Sequence, residues 1–118
     1  MREILFRGKR TDNGEWIYGD LMQNVDCIKI REQEKDVKHI AKSFEIDLET
    51  VGQYTDLADK NGKRIFEGDI LSIWNDRNDV VVFEDGAFIM EDTEIPMRFA
   101  IKFEVIGNVH DNPELLEK

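Results

Sequence analysis

Residues 59–70 read DKNGKRIFEGDI, and this segment says more about the fold than any other stretch of the chain. A looser copy, TDNGEWIYGDL, occupies residues 11–21. In each copy, Asn-Gly supplies the positive φ values of a tight hairpin turn. Gly-Asp before an aliphatic residue predicts a bend that starts a strand. The predicted turn residues are Asn13, Gly14, Gly19, Asp20, Asn61, Gly62, Gly68 and Asp69.

The composition indicates a small globular protein. With 118 residues and 41% apolar content, the chain has the size of one domain and enough apolar side chains for a modest core. Two small subdomains are the alternative organisation, with residues 1–48 as an N-terminal β subdomain and residues 49–118 as a second one. The longest apolar run, residues 80–83, is far too short to span a bilayer, so we expect a cytoplasmic protein.

The charge is strongly uneven along the chain. The net charge is −10, and residues 43–118 alone carry seven basic and eighteen acidic groups. Such a surface repels a nucleic-acid backbone, whereas it can attract a basic protein partner. Cys27 is the only cysteine, which excludes an intramolecular disulfide and a thiolate metal cage.

Short apolar segments separated by turn residues predict a mainly β protein with small antiparallel sheets. No amphipathic helix is long enough for a parallel crossover. Asn112 as N-cap and Pro113 at the first helical position predict a short C-terminal helix that extends to Leu116. Residues 31–38 are almost entirely polar and predict an exposed, mobile loop or solvated turn. The predicted strands lie at residues 4–6, 16–22, 25–30, 70–74, 80–83, 87–90, 97–103 and 105–109.

Four segments taken in order resemble the YopX family of phage and prophage proteins: residues 1–9, 50–55, 59–70 and 104–116. The resemblance implies a bacterial or phage cytoplasmic protein, mostly β, with a small SH3-type barrel in the second half. It implies no known enzymatic activity, because the family is one of unknown function. The chain departs from the family pattern at Asp56, where the family usually has Gly, so a positive φ there would carry some cost.

Few residues offer catalytic or metal-binding chemistry. His110-Asp111 is a base beside a carboxylate, but adjacent strand residues point to opposite faces and do not orient each other. The Gly-Asp carboxylates, Asp20 and Asp69, lack the dense acidic spacing of a calcium loop, and Asp in a turn more often accepts backbone hydrogen bonds. We therefore predict no catalytic residue, no cofactor and no metal site, although a hydrolase or metal enzyme built on these groups is a third hypothesis.

The aromatic residues Trp16, Tyr18, Tyr54 and Trp74 form the candidate interaction surface. Exposed on a small barrel, they would act as hot spots for a protein partner. Buried, they would instead form much of the core. The resulting hypothesis is a non-enzymatic protein-interaction module without membrane association, and a homo-oligomer paired through strand edges fits it. The alternative is nucleic-acid binding through a basic N-terminal cluster, Arg2, Arg7, Lys9 and Arg10.

Overall fold

The structure is a computed structural model that describes residues 3–32 and 42–116. Within this part, the chain is mainly β, with two antiparallel sheets and short 3-10 helices. The predicted mainly β class is therefore confirmed. The chain divides into two compact units, Met1–Gln53 and Tyr54–Lys118. The predicted division into subdomains at residues 1–48 and 49–118 stays a prediction.

The first unit is an antiparallel sheet in which β2 is the middle strand. The hairpin of β1 and β2 is extended by β3 and β4 on one side and by the first residues of β5 on the other. Asp47 caps a 3-10 helix, Leu48–Thr50, between β4 and β5 by accepting a hydrogen bond from the Glu49 backbone N–H. The strands are β1 (Phe6–Lys9), β2 (Trp16–Gln23), β3 (Ile28–Glu32), β4 (Ser43–Glu45) and β5 (Gly52–Ala58).

The period of two along β2 separates the core face of this sheet from its outer face. Ile17 and Gly19 are buried, whereas Tyr18 and Asp20 between and beyond them are exposed. Ile17 packs with Ile30 and Ile46 in the core of this unit. Most of the predicted polar loop at residues 31–38 lies outside the described residues, although Arg31 and Glu32 belong to β3.

The two predicted Gly-Asp bends have different structures. Gly68 has a φ of 93° directly before β7 (Asp69–Ile73), as expected for a bend that starts a strand. Gly19 and Asp20 instead lie inside β2, so the bend predicted there is absent. A Cβ on Gly19 would lie 1.9 Å from the Arg31 carbonyl oxygen, so glycine is required by the close approach of β3 and not by a turn.

The second unit contains a four-stranded antiparallel sheet in the order β10-β7-β8-β9, together with β6 (Arg64–Phe66), which pairs with β5. Residues of all these elements form one core around Leu71, Val81 and Phe103. No closed ring of strands is found within residues 3–32 and 42–116, so the SH3-type barrel stays a prediction. The sheet strands are β7 (Asp69–Ile73), β8 (Arg77–Glu84), β9 (Ala87–Met90) and β10 (Glu104–Asn108).

The β8–β9 hairpin follows its sequence signal closely. Glu84 pairs with Ala87, which leaves a two-residue turn of Asp85 and Gly86. Both turn residues have positive φ, 52° and 84°, as the type I′ turn requires. The prediction of three strands joined by short turns after Gly68 is therefore confirmed.

The strand predicted at residues 97–103 is wrong, because a 3-10 helix occupies Met97–Lys102. The apolar side chains there satisfy a period of two, but burial follows a period of three. Ala100 and Phe103 are buried and Met97 packs beside them, whereas Ile101 is 53% exposed. A spacing of three places side chains on one side of a 3-10 helix, and contact with the core selects that period.

The C-terminal segment differs in detail from the prediction. β10 has a register irregularity between Val105 and Gly107, as in a β-bulge. The last described element is a 3-10 helix, Pro113–Leu116. The Asn112 side chain accepts a hydrogen bond from the Asn108 backbone N–H at 3.2 Å, so it fastens the chain back onto β10.

Asp56 has a φ of 70°, the left-handed conformation anticipated from its departure from the family pattern. It lies in β5, where the pairing with β6 is irregular between Tyr54 and Ala58. The hydroxyl of the preceding Thr55 donates to the Ile65 carbonyl oxygen at 2.8 Å and holds the irregular strand in place. The chain therefore tolerates a non-glycine residue in the conformation that favours glycine.

Candidate functional site

The four aromatic residues of the predicted interaction surface have different surroundings. Trp16 and Tyr18 lie on the same face of β2 in the first unit, and Tyr18 is 43% exposed. Tyr54 is only 8% exposed and packs against Phe66 with ring centroids 5.5 Å apart, so it belongs to the core. Trp74 is 48% exposed and lies in the second unit.

Cationic side chains cover Trp16 from its own sheet. The Arg7 guanidinium carbon lies 4.7 Å from the ring centroid and the Lys9 Nζ lies 5.5 Å from it. Both cations belong to β1, the strand paired with β2. In this pairing Arg7 lies opposite Tyr18 and Lys9 lies opposite Trp16. Two members of the predicted basic cluster are therefore engaged with an aromatic ring.

Trp74 is an exposed aromatic residue that packs against two phenylalanine rings. Its ring meets Phe99 and Phe103 edge-on, at centroid distances of 5.6 and 5.0 Å. Arg98 and Lys102 in turn lie over the Phe99 ring at 4.8 and 5.7 Å. Edge-on aromatic contacts hold the indole in one orientation while leaving much of it in solvent. We call the exposed side chains of this group, together with the half-buried Phe99, the Trp74 patch: Trp74, Arg98, Phe99, Ile101 and Lys102.

A cleft with a volume of about 620 Å³ lies elsewhere in the second unit. Carboxylates are frequent among its lining groups, and two leucines of the C-terminal 3-10 helix supply apolar surface. The only basic lining residue, Arg77, already pairs with Asp92 at 3.1 Å. We call this feature the acidic cleft, and it is lined by Asp76, Arg77, Asn78, Asp79, Val80, Glu91, Asp92, Leu115 and Leu116.

Direct hydrogen bonds fix the walls of the acidic cleft. The Asn78 side-chain amide donates to the Leu115 carbonyl oxygen at 2.9 Å, which attaches the C-terminal 3-10 helix to β8. On the other wall, the Asp92 and Thr93 backbone N–H groups donate to the Asp79 carboxylate at 3.0 and 2.8 Å. These intramolecular hydrogen bonds therefore hold both walls of the cleft in place.

Asp79 is a structural carboxylate. It is buried, and besides two loop amides it accepts hydrogen bonds from the Thr93 hydroxyl and the Val80 backbone N–H. Burial raises the pKa of Asp79, but the hydrogen bonds together lower it by more. The pKa therefore lies below its ordinary value. Asp79 is thus held ionised, and both of its carboxylate oxygens accept hydrogen bonds from the protein. This arrangement fits a structural role in the cleft wall and not the role of a general acid or base.

Asp59 has the same role at the β5–β6 hairpin. Its Oδ1 accepts from the Asn61 and Lys63 backbone N–H groups, both at 2.9 Å, and Gly62 has a φ of 83° within the same turn. Its Oδ2 accepts from the Val105 backbone N–H. Burial raises the pKa of Asp59, whereas these backbone hydrogen bonds lower it by more.

The two Gly-Asp carboxylates, Asp20 and Asp69, belong to different units. Asp69 is buried in the second unit and accepts from the Phe66 backbone N–H at 2.7 Å. Asp20 is exposed in the first unit, and its Oδ2 lies 3.8 Å from the Arg31 Nη2. At the first hairpin turn, Gly14 has the predicted positive φ, 75°, but Asn13 does not, and the Asn13 side chain instead accepts a hydrogen bond from the Glu15 backbone N–H.

The His110-Asp111 pair lies in a backbone turn after β10. Both backbone N–H groups donate to the Asn108 side-chain oxygen at 3.0 Å. His39, the second histidine, lies outside the described residues. Across residues 3–32 and 42–116, no group of three or more His, Cys, Asp or Glu side chains is arranged to hold a metal ion. In that same part of the chain, no helix is long and apolar enough to cross a membrane.

Sequence reasoning missed the acidic cleft, although one signal for it was present. In the β8–β9 hairpin Val81 pairs with Met90, and continuing this register places Asp79 opposite Asp92. The Asp85-Gly86 turn alone was therefore sufficient to bring the acidic ends of the two strands together. No sequence signal indicates that Leu115 and Leu116 complete the cleft.

The fold and the cleft together define a class: a small antiparallel β protein of two units, with an acidic, partly apolar cleft in the second. The particular family follows from comparison with known proteins, because the model of the YopX protein family matches residues 5–117. The chain belongs to this family, as its sequence resemblance predicted.

One solved structure similar to this chain is the crystal structure of protein EF1440 from Enterococcus faecalis. The two sequences are 28% identical, the similarity covers 99% of this chain and 100% of that chain, and the TM-score is 0.68. Among curated proteins, no significant match is found.

Proposed function

We propose that this YopX-family chain is a non-enzymatic protein-interaction module of phage or prophage origin that works in the cytoplasm of a bacterial host. The observation that carries the proposal is the acidic cleft, whose lining combines carboxylates with apolar side chains. Lysine and arginine side chains combine an apolar stem with a charged end, so they match both components of this lining. The partner is therefore a protein that presents basic side chains.

The wider charge distribution supports the same partner. Residues 43–118 carry an excess of eleven negative charges, which attracts a basic protein at long range and speeds its association. The SH3-type barrel implied by the family resemblance stays part of this proposal, since domains of that type bind peptides.

Affinity capture from a bacterial lysate, at low and moderate salt, tests the proposal. We expect the wild-type chain to retain specific proteins, with less retained as salt screens the charges. The cleft variant, which removes three charges while preserving side-chain size, should lose these proteins. This variant carries Asp76→Asn, Glu91→Gln and Asp92→Asn.

A matched control removes three exposed carboxylates outside the cleft and should retain the same proteins as wild type. Its substitutions are Asp26→Asn, Glu49→Gln and Glu84→Gln. The proposal fails when no protein is retained above background, or when the cleft variant captures the same set as wild type.

Nucleic-acid binding, the second candidate, would use the basic cluster Arg2, Arg7, Lys9 and Arg10, of which Arg2 lies outside the described residues. Arg10 forms a bidentate hydrogen-bonded pair with Asp12, at 2.8 and 2.6 Å, which reduces the positive charge available to a phosphate backbone. Electrophoretic mobility shifts with single-stranded DNA, double-stranded DNA and RNA test this candidate, and the absence of any shift at low salt ends it.

A further inference from the structure

Two surfaces of opposite charge begin at the same turn of the second unit. The 3-10 turn Trp74–Asp76 contributes its first residue to the Trp74 patch, while its last residue lines the acidic cleft. The patch is cationic through Arg98 and Lys102, whose charged groups lie over the Phe99 ring. The cleft is anionic through Asp76, Glu91 and Asp92.

The apolar components of the two surfaces are also complementary. The patch exposes large apolar side chains, since Trp74 is 48% and Ile101 is 53% exposed. The cleft offers Leu115 and Leu116 beside its carboxylates. An interface that buries a tryptophan and pairs an arginine with carboxylates has the composition of an interaction hot spot.

We propose that the acidic cleft of one copy of this chain receives the Trp74 patch of a second copy, and that the reciprocal contact closes a two-fold dimer. A second copy fits the cleft because each chain carries both complementary surfaces. In a two-fold dimer the patch of each copy contacts the cleft of the other, so the same contact forms twice. The inference rests on the proposed function, since the same cleft binds the basic partner. Self-association therefore competes with partner binding.

The net charge sets the conditions under which the dimer forms. Two chains of charge −10 repel each other at long range, and low salt strengthens this repulsion. At about 0.15 M salt the Debye length is about 8 Å, so distant carboxylates are screened while contacting pairs still attract. The dimer should therefore be more stable at about 0.15 M than at about 0.01 M salt.

Sedimentation equilibrium of the full chain up to roughly 100 μM measures the dissociation constant directly. We expect a monomer–dimer equilibrium, and Trp74→Ala should raise the dissociation constant about tenfold or more. Two charge-reversed variants should each be monomeric by themselves. The patch-reversed variant carries Arg98→Glu and Lys102→Glu, and the cleft-reversed variant carries Glu91→Lys and Asp92→Lys.

Mixing the two reversed variants gives the decisive measurement, because both interfaces of a mixed dimer regain opposite charges. Native mass spectrometry should detect the heterodimer in the mixture and neither homodimer. A control with Lys42→Glu and Lys63→Glu changes the net charge as the patch-reversed variant does, but at exposed sites outside both surfaces, and it should dimerise like wild type. Far-ultraviolet circular dichroism establishes that each variant is folded.

Several outcomes overturn the inference: a wild-type chain that stays monomeric at both salt concentrations, an open series of larger species, or reversed variants that fail to form a heterodimer. A monomeric chain that still captures basic proteins through the cleft overturns self-docking alone and leaves the proposed function intact. A dimer whose cleft variant captures the same lysate proteins as wild type overturns the proposed function alone.

Discussion

The Oδ2 atom of Asp59 accepts a hydrogen bond from the backbone N–H of Val105 at 2.9 Å, and this bond joins positions 46 residues apart. Because the other carboxylate oxygen holds the Asn61-Gly62 turn, one buried side chain fastens the β5–β6 hairpin to β10. The β5–β6 hairpin, which has a clear local sequence signal, therefore also depends on a contact with a distant part of the chain.

Replacing Asp59 by Asn should lower the free energy of unfolding by about 1–3 kcal/mol, because an amide cannot accept all three backbone hydrogen bonds and leaves a buried donor unsatisfied. Urea denaturation followed by tryptophan fluorescence measures the change. Asp26→Asn, at an exposed position, is the control and should stay within about 0.5 kcal/mol of wild type. Equal stability of the two variants would contradict the role given to Asp59.

The stability of the chain should fall in acid through Asp59 and Asp79. Each pKa is lower in the folded chain than in the unfolded chain, so each carboxylate stabilises the fold above the unfolded pKa of about 3.9. This contribution is lost as the pH falls through the lower, folded pKa. Unfolding free energies measured between pH 7 and pH 2 should show the loss, and Asp59→Asn with Asp79→Asn should reduce the slope below pH 4. An unchanged slope in the double variant would rule out these two groups as the cause.

Gly19→Ala should be among the most destabilising alanine substitutions in the chain, because a Cβ there meets the Arg31 carbonyl oxygen at 1.9 Å. We expect a loss of about 3 kcal/mol or more, since β2 and β3 must separate. Gly86→Ala is the matched control: its φ is 84°, but no atom lies within 4 Å of the added Cβ. Only the cost of the left-handed conformation, about 1–2 kcal/mol, applies to Gly86→Ala, and thermal denaturation should separate the two variants.

At Asp56, alanine should be less stable than glycine. The φ of 70° penalises a Cβ by about 1–2 kcal/mol, while glycine pays only its greater flexibility in the unfolded chain. Differential scanning calorimetry of Asp56→Ala and Asp56→Gly measures the order. A variant Asp56→Ala that matches or exceeds Asp56→Gly would show that the residue does not need the left-handed conformation.

The helix at Met97–Lys102 and the strand predicted from its sequence make opposite predictions for two neighbouring residues. In the helix Ala100 is buried and Ile101 is exposed, whereas the strand pattern buries Ile101. Ala100→Lys should therefore cost about 3 kcal/mol or more by burying an unpaired charge, and Ile101→Lys should cost less than about 1 kcal/mol. The reverse order in urea denaturation would restore the strand.

Some parts of the fold are predictable from the sequence and others are not. Hairpins at Asn13-Gly14, Asn61-Gly62 and Asp85-Gly86 are predictable because a positive φ is a local demand with a local residue signature. The period around Ala100 is not, because the spacing of Met97, Phe99, Ile101 and Phe103 fits a strand and tertiary packing decides between the alternatives.

The candidate surfaces depend even more on distant contacts. The sequence identifies Trp74 as a candidate, but the cations near it, Arg98 and Lys102, come from a 3-10 helix whose sequence pattern predicts a strand. The acidic cleft needs the register of β8 against β9 and the docking of Leu115 through Asn78, and the second of these has no local signature.

The β8–β9 hairpin has two unlike ends. Asp79 ties the loop at Asp92 and Thr93, whereas the Asp85-Gly86 tip is exposed and an added Cβ on Gly86 meets no atom within 4 Å. A fluorophore or short epitope inserted at this tip would leave the cleft wall in place, while an insertion at the other end would dismantle it. The hairpin thus provides its own attachment point for a reporter of events in the cleft.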